Sequence, residues 1–264
     1  VLAADGRVVG TGWHRLAGEP HAEILALRDA GAAARGATAF VTLEPCAHHG
    51  RTPPCAPALV EAGIRRVVVP AEDPNPRVAG KGLALLRAAG LRVDTGLLAD
   101  EAERINAGFN LRMTAGRPRV TVKLAASLDG RTAMASGESR WITGPDARAD
   151  VQRLRAASSA IMTGIGTVLA DDPSLNVRAP ELDLAGRQPL RVVLDSRLRL
   201  PPDARLLGLP GRTIVMTGAA EGPAAAALRE AGADIVRIAA AAGGVDPAAA
   251  LGALGERECN DALV

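Results

Sequence analysis

Two short apolar runs open the chain, Val1-Leu2-Ala3-Ala4 and Arg7-Val8-Val9-Gly10, and the Asp5-Gly6 pair between them predicts two strands joined by a tight turn. Pro20 then stands where the first turn of a helix tolerates it. Ile24, Leu25, Leu27 and Ala30 give that helix one apolar face, and Gly31 to Gly36 ends it, so His21 and Glu23 are expected in its first turn. Thr38 to Leu43 predicts a short buried strand, Glu44 to Pro54 a polar, Pro-rich loop, and Cys55 to Ala62 a helix. Arg66 to Val69 and Leu91 to Thr95 predict strands, with helices over Lys81–Ala89 and Asp100–Met113. Strands alternating with helices predict an α/β sandwich.

Thr114-Ala115-Gly116-Arg117-Pro118 interrupts this alternation and marks a domain boundary near residue 115, giving expected domains over 1–115 and 119–264. Beyond it, Arg119–Leu124, Ala160–Thr163, Leu190–Leu194, Arg212–Met216 and Asp234–Ile238 predict strands. Helices over Asp146–Ala157, Pro223–Ala231 and Pro247–Leu254 separate most of them, which makes a second α/β domain. A hairpin at residue 1 and a strand only beginning at Asp261-Ala262-Leu263-Val264 suggest a fragment cut at both ends. Residues 239 to 255 are rich in Ala and Gly, without an internal repeat.

Composition narrows the function. With 264 residues and 48% hydrophobic content the chain is long enough for packed cores, and 31 basic against 29 acidic residues leave a net charge of +2, too little to steer nucleic acid or an anionic membrane. Aromatics are only 2% and Tyr is absent, so stacking platforms for single strands are missing. No apolar run reaches the roughly 20 residues that span a bilayer, and the start has no leader-like pattern, which points to the cytoplasm. The 3 cysteines cannot build a disulfide framework. All 4 histidines, His14, His21, His48 and His49, and two of the cysteines, Cys46 and Cys55, fall between residues 14 and 55, which turns attention to metal.

A hydrolytic deaminase needs a Lewis acid to activate water near neutral pH and a carboxylate to carry protons from that water to the leaving ammonia. Three protein ligands on zinc leave a fourth position for the water. Zinc deaminases carry His-x-Glu, then Pro-Cys and a further Cys, the Glu not being a ligand. Here His21-Ala22-Glu23 is followed by Pro45-Cys46 and Cys55, a donor set that suits zinc better than magnesium or calcium, with each cysteine expected near a helix N-terminus that favours thiolate. Two features strain the match. Positions i and i+2 point about 200° apart on an ideal helix, so His21 and Glu23 converge only at an irregular helix entry, and 8 residues separate the cysteines where the common signature has two. Alone, His-x-Glu carries little information and each cysteine reads as core. A closed structural zinc site with His48 or His49 as fourth ligand is the main rival, but the order of the whole set favours catalytic zinc.

Gly12-Trp13-His14, Ala17 to Glu23, Val41 to Cys55, Asp73-Pro74-Asn75-Pro76, Lys123 to Ala133, Gly137-Glu138-Ser139-Arg140-Trp141-Ile142-Thr143 and Val168 to Pro173 are similar to the bifunctional riboflavin-biosynthesis deaminase/reductase family, in blocks spread over nearly the whole chain. The resemblance implies a cytidine-deaminase-like three-layer αβα domain followed by a dihydrofolate-reductase-like α/β domain. The first would deaminate a diaminopyrimidine ribosyl phosphate; the second would reduce the ribosyl group to a ribityl chain with NADPH. By position it implies that His21, Cys46 and Cys55 bind zinc, with Glu23 as proton shuttle. It further implies NADP contacts at Ala125, Trp141, Thr167, Asp171 and Ser196, and substrate contacts at Ser139, Arg155, Leu175 and Arg178, where an arginine fork suits a phosphate.

Without the resemblance the second half says less. Gly164-Ile165-Gly166-Thr167 after a strand could admit a phosphate but reads more simply as a turn, Arg153 and Arg155 as solvated helix surface, and Trp141 as core or interface. The family carries a helix and a Pro-Asn-Pro segment before the first strand and an acidic residue and a Gly-rich cofactor loop after the last, so this chain is expected to be impaired as a reductase. The expected partner is a small phosphorylated pyrimidine, with no nucleic acid and no membrane; a homo-oligomer stays open. The alternatives are a nucleoside or tRNA-base deaminase with an accessory domain, and a structural zinc module serving assembly.

Overall fold

Asp5 and Gly6 both take positive φ, 49° and 74°, the backbone that returns a strand on itself with the right twist, and β1 (Leu2–Ala4) and β2 (Arg7–Gly10) pair antiparallel across them. The structure is a computed structural model and describes residues 1–139, 141–241 and 244–264; Arg140 of the Gly137–Thr143 block and Ala242 and Gly243 of the Ala- and Gly-rich stretch lie outside the described residues. The chain divides into two units, Val1–Thr114 and Ala115–Val264.

In the first unit α1 (Ala22–Ala30) leads to β3 (Thr38–Phe40), α2 (Cys55–Glu61) to β4 (Arg66–Val69), α3 (Lys81–Ala88) to β5 (Arg92–Thr95), and α4 (Ala99–Ala115) ends it. The sheet order is β2-β1-β3-β4-β5, antiparallel through the hairpin and β3, then parallel. β4 is apolar on both faces, as a strand inside a parallel sheet must be: Val67, Val68 and Val69 are all buried. One core joins Leu2, Ala39, Val67 and Val69 of the sheet to Ala26, Leu59, Leu83 and Leu86 of the first three helices. The end of β2 lies directly on α1. A Cβ at Gly12 would stand 2.3 Å from the Ala22 carbonyl oxygen, so only glycine permits the approach that seats the start of α1.

The second unit holds β6 (Arg119–Thr121), α5 (Pro145–Ala156), β7 (Ala160–Gly164), α6 (Ile165–Asp171), β8 (Leu190–Leu194), β9 (Thr213–Thr217), α7 (Pro223–Glu230), β10 (Ala233–Arg237), the two-residue pair β11 (Ala240–Ala241) and β12 (Gly244–Val245), α8 (Pro247–Glu256) and β13 (Asp261–Leu263). Six strands run parallel in the order β10-β9-β8-β7-β13-β6, so the last strand enters between two earlier ones. All five residues of β9 are buried.

The α/β class expected of both halves holds. Several bounds differ for physical reasons. The strand expected over 38–43 stops at Phe40, where the chain turns toward the buried Glu44, although the Val41 N–H still donates to Val68 O at 3.0 Å. Gly164-Ile165-Gly166-Thr167, read most simply as a turn, instead opens the helix Ile165–Asp171, because Ile165 and Val168, three apart, bury one face in the core.

Leu59 on α2 is fully buried, and truncating it leaves a void beneath the residue that begins the same helix, Cys55. Leu59→Ala is expected to cost about 2–5 kcal/mol of first-unit stability in a denaturant titration; a loss below about 1 kcal/mol would contradict this packing.

Candidate functional site

His21 is the N-cap of α1, in extended conformation at φ −68° and ψ 163°, rather than a residue of its first turn. The angular conflict with Glu23 therefore does not arise: His21 lies off the helix, while Glu23 is its second residue and half-buried. Cys55 is the first residue of α2. Cys46 lies on the preceding loop and not at a helix start of its own, contrary to expectation, yet its sulfur accepts the Cys55 N–H at 3.4 Å, so the N-terminus of α2 serves both sulfurs.

His21 Nδ1 stands 3.2 Å from Cys55 Sγ and 3.7 Å from Cys46 Sγ, and the ligand atoms of these three residues all lie within 4.8 Å of one another. A tetrahedral zinc ion with Zn–S of about 2.3 Å and Zn–N of about 2.0 Å spaces its ligand atoms roughly 3.5–3.8 Å apart, so the set fits zinc with one position left for a non-protein ligand. The eight-residue loop thus returns Cys55 to Cys46. Neither His48 nor His49 joins the set, and the closed four-ligand site that either would complete is not formed.

The orientation of His21 rests on a contact that no local pattern signals. Its Nε2 is 3.2 Å from Thr52 Oγ1, a hydrogen bond that fixes the ring with Nδ1 toward the two sulfurs. His14 packs edge-on against the same ring at 5.3 Å between centroids, its own Nδ1 3.2 Å from Pro20 O. Placing Thr52 required knowing that the loop folds back over His21.

The sulfurs share one proton. Cys46 is drawn down to about 4, first because the Cys55 thiol donates to it and then because His21 does; the same bond and burial push the Cys55 thiol up. The hydrogen bond with Cys46 raises His21. Burial raises Glu23, whose carboxyl group lies within hydrogen-bonding reach of Cys55. A proton acceptor therefore sits beside the ligand set in a site that favours its protonated form.

In the second unit a cavity of about 880 Å³ gathers Ala125, Ser139, Trp141, Asp171 and Arg178 of the expected residues. The others lie off its wall. Thr167 is exposed on α6, and the Ser196 hydroxyl accepts the Val245 N–H at 3.1 Å. Leu175, at φ 46°, points its side chain into the core, so only its backbone is free to meet a ligand. Arg155 and Arg178 both grip Asn176, Arg155 Nη1 donating to its carbonyl at 2.9 Å and Arg178 Nη1 to its Oδ1 at 3.2 Å. Burial and the neighbouring Arg178 depress Arg155. Arg148 was not anticipated. Its guanidinium lies 4.4 Å from the centre of the Trp141 ring and donates to Thr143 O at 2.7 Å. A cation in the first turn of α5, against the helix dipole, was the signal available for it.

Family models match two stretches: the cytidine and deoxycytidylate deaminase zinc-binding region over residues 1–71, and the RibD C-terminal domain over residues 118–264. The riboflavin biosynthesis protein RibD of Escherichia coli is 58% identical over 222 residues, covering 81% of this chain and 60% of that protein. Among solved structures, RibD of Acinetobacter baumannii is 48% identical with a TM-score of 0.90, covering 100% of this chain and 72% of that one. A diaminohydroxyphosphoribosylaminopyrimidine deaminase/5-amino-6-(5-phosphoribosylamino)uracil reductase of Thermotoga maritima is 36% identical with a TM-score of 0.84 and the same coverage, 100% and 72%. The chain thus spans about 60% of the length of its E. coli relative. No helix among the described residues is long and apolar enough to cross a membrane.

Removing the Thr52 hydroxyl leaves the ligands but frees the ring they depend on. Thr52→Val is expected to weaken zinc binding about 10–100-fold in competition with a chelator, and unchanged affinity would show that Thr52 does not orient His21. In metal-free protein pH 6 lies above the lowered value of about 4 for Cys46, which is thiolate while Cys55 stays protonated, so iodoacetamide should label Cys46 first, read by peptide mass. Preferential labelling of Cys55 would reverse the assignment.

Proposed function

Since the chain belongs to the RibD family of riboflavin-biosynthesis proteins, we propose that its first unit hydrolytically deaminates a diaminopyrimidine ribosyl phosphate and its second reduces the ribosyl group of the product to a ribityl chain. The observation that carries the first half is the convergence of His21 Nδ1, Cys46 Sγ and Cys55 Sγ beside the half-buried Glu23. These three residues hold zinc, which when bound supplies the Lewis acidity that makes water a nucleophile near neutral pH.

Glu23 takes a proton from the attacking water and passes one to the departing amino group. A ring C–NH₂ becomes C=O, with water consumed and ammonia released. Burial suits the carboxyl group to this task, because a proton carrier works best when its affinity lies near the ambient pH, and burial moves Glu23 in that direction. Thr52 holds the His21 ring, and α2 presents Cys55 and its own N–H to the same point.

For the second unit, Ala125, Trp141, Thr167, Asp171 and Ser196 are assigned to the nucleotide and Ser139, Arg155, Leu175 and Arg178 to the substrate, Leu175 through its backbone. NADPH supplies the hydride when bound. Arg155 and Arg178, drawn together around Asn176, receive the phosphate as two planar forks and hold the ribosyl carbon in the cavity. The substrate is a small phosphorylated pyrimidine rather than a nucleic acid, and we assign the protein to the cytoplasm.

Glu23→Gln keeps the shape and removes the proton carrier. Ammonia release from the diaminopyrimidine substrate, followed by mass, is expected to fall about 10²–10⁴-fold while one zinc per chain remains by elemental analysis. Undiminished ammonia release would overturn the assignment.

A further inference from the structure

We infer that Glu44 is a positioning residue of the metal site: it fixes the loop that carries Cys46 to the first turn of α3 and so sets where that sulfur stands. This rests on the zinc reading above and deepens it. Glu44 is only 4% exposed, and no cation meets it among the described residues. Instead, four backbone amides converge on it. Its Oε2 accepts the N–H of Asp73 at 3.0 Å and of Gly80 at 2.8 Å; its Oε1 accepts those of Gly82 at 2.8 Å and Leu83 at 3.2 Å. Gly80 is the N-cap of α3, so the carboxylate takes up donors that the helix itself leaves unpaired.

A separate contact sets the same register. A Cβ at Gly82 would stand 1.8 Å from Pro45 O, so backbone meets backbone where the chain passes from Glu44 to Cys46. Glu44 and Pro45 are thus clamped on α3, and the next residue presents its sulfur to the Cys55 N–H and His21 Nδ1. Through Asp73 the clamp also reaches the Asp73-Pro74-Asn75-Pro76 turn, where Asp73 Oδ1 accepts the Asn75 N–H at 2.8 Å.

Glutamine at position 44 would keep the volume but turn an NH₂ toward two of the four amides, leaving buried donors facing a donor. With the full chain and zinc alone as probe, Glu44→Gln is expected to lower zinc affinity at least about tenfold and to shift the ligand-field bands of the Co(II)-loaded protein, which a purely structural role would not move. A second measurement needs no variant. If Glu44 couples α3 to Cys46, zinc must tighten the amides of Asp73, Gly80, Gly82 and Leu83 in return, slowing their hydrogen exchange in wild-type protein more than that of Leu86 and Arg87 in the same helix. Zinc held equally by wild type and variant with identical Co(II) spectra, or exchange at the four amides indifferent to zinc, overturns the proposal alone. A wild-type chain that binds no zinc at all overturns the zinc reading and this proposal together.

Discussion

Two sulfurs held side by side cannot both be thiolates unless positive charge stands near them. The Cys55 thiol meets part of that demand by donating to Cys46, and this one bond moves the two thiols from their ordinary values in opposite directions, with His21 adding to the effect on Cys46. A divalent ion satisfies the same demand more fully, releasing the proton and giving His21 Nδ1 a partner as well. The rest of the first unit exists to keep the sulfurs this close. α2 begins at one of them and offers its first N–H to the other, and the Gly12 approach seats α1 so that its N-cap imidazole completes the set.

How much of this was legible in the sequence followed from what each feature depends on. Local signals held: the Asp-Gly hairpin, the helix begun at Cys55 and the strands of the sheet's parallel half all rest on nearby residues. The ligands were legible because chemistry restricts them, few residue types binding zinc and their order being distinctive. Orientation was not legible. Whether His21 lies in the helix or caps it is decided by one ψ angle, and only the cap lets ring and carboxylate meet. Thr52 and Glu44 escaped notice for a different reason: a threonine in a loop and a glutamate before Pro-Cys are ordinary until long-range folding brings His21 to one and four amides to the other.

The second unit shows what happens when the chemistry carries no such restriction. Its expected residues are Ala, Ser, Thr, Leu, Asp, Trp and Arg, none of them specific to one chemistry, and the fold gathers five of the nine on one cavity. Leu175 is instructive: its side chain is core, and only the left-handed backbone that places it marks the position as unusual. Arg148 over Trp141 gives the same cavity an ordered cation and an indole face, features suited to a charged, planar ligand.

Two carboxylates within the first unit divide the labour of the metal site through their surroundings alone. Glu44 has both oxygens occupied, each by two amides, and so holds the backbone around it. Glu23 is half-buried, and that burial outweighs its backbone hydrogen bond and the pull of His21, so its affinity for a proton rises. Exchange the surroundings and the roles would exchange. The fold achieves the difference by placing one carboxylate under the start of a helix, where donors are in surplus, and the other on a helix wall facing the ligand set, where they are scarce.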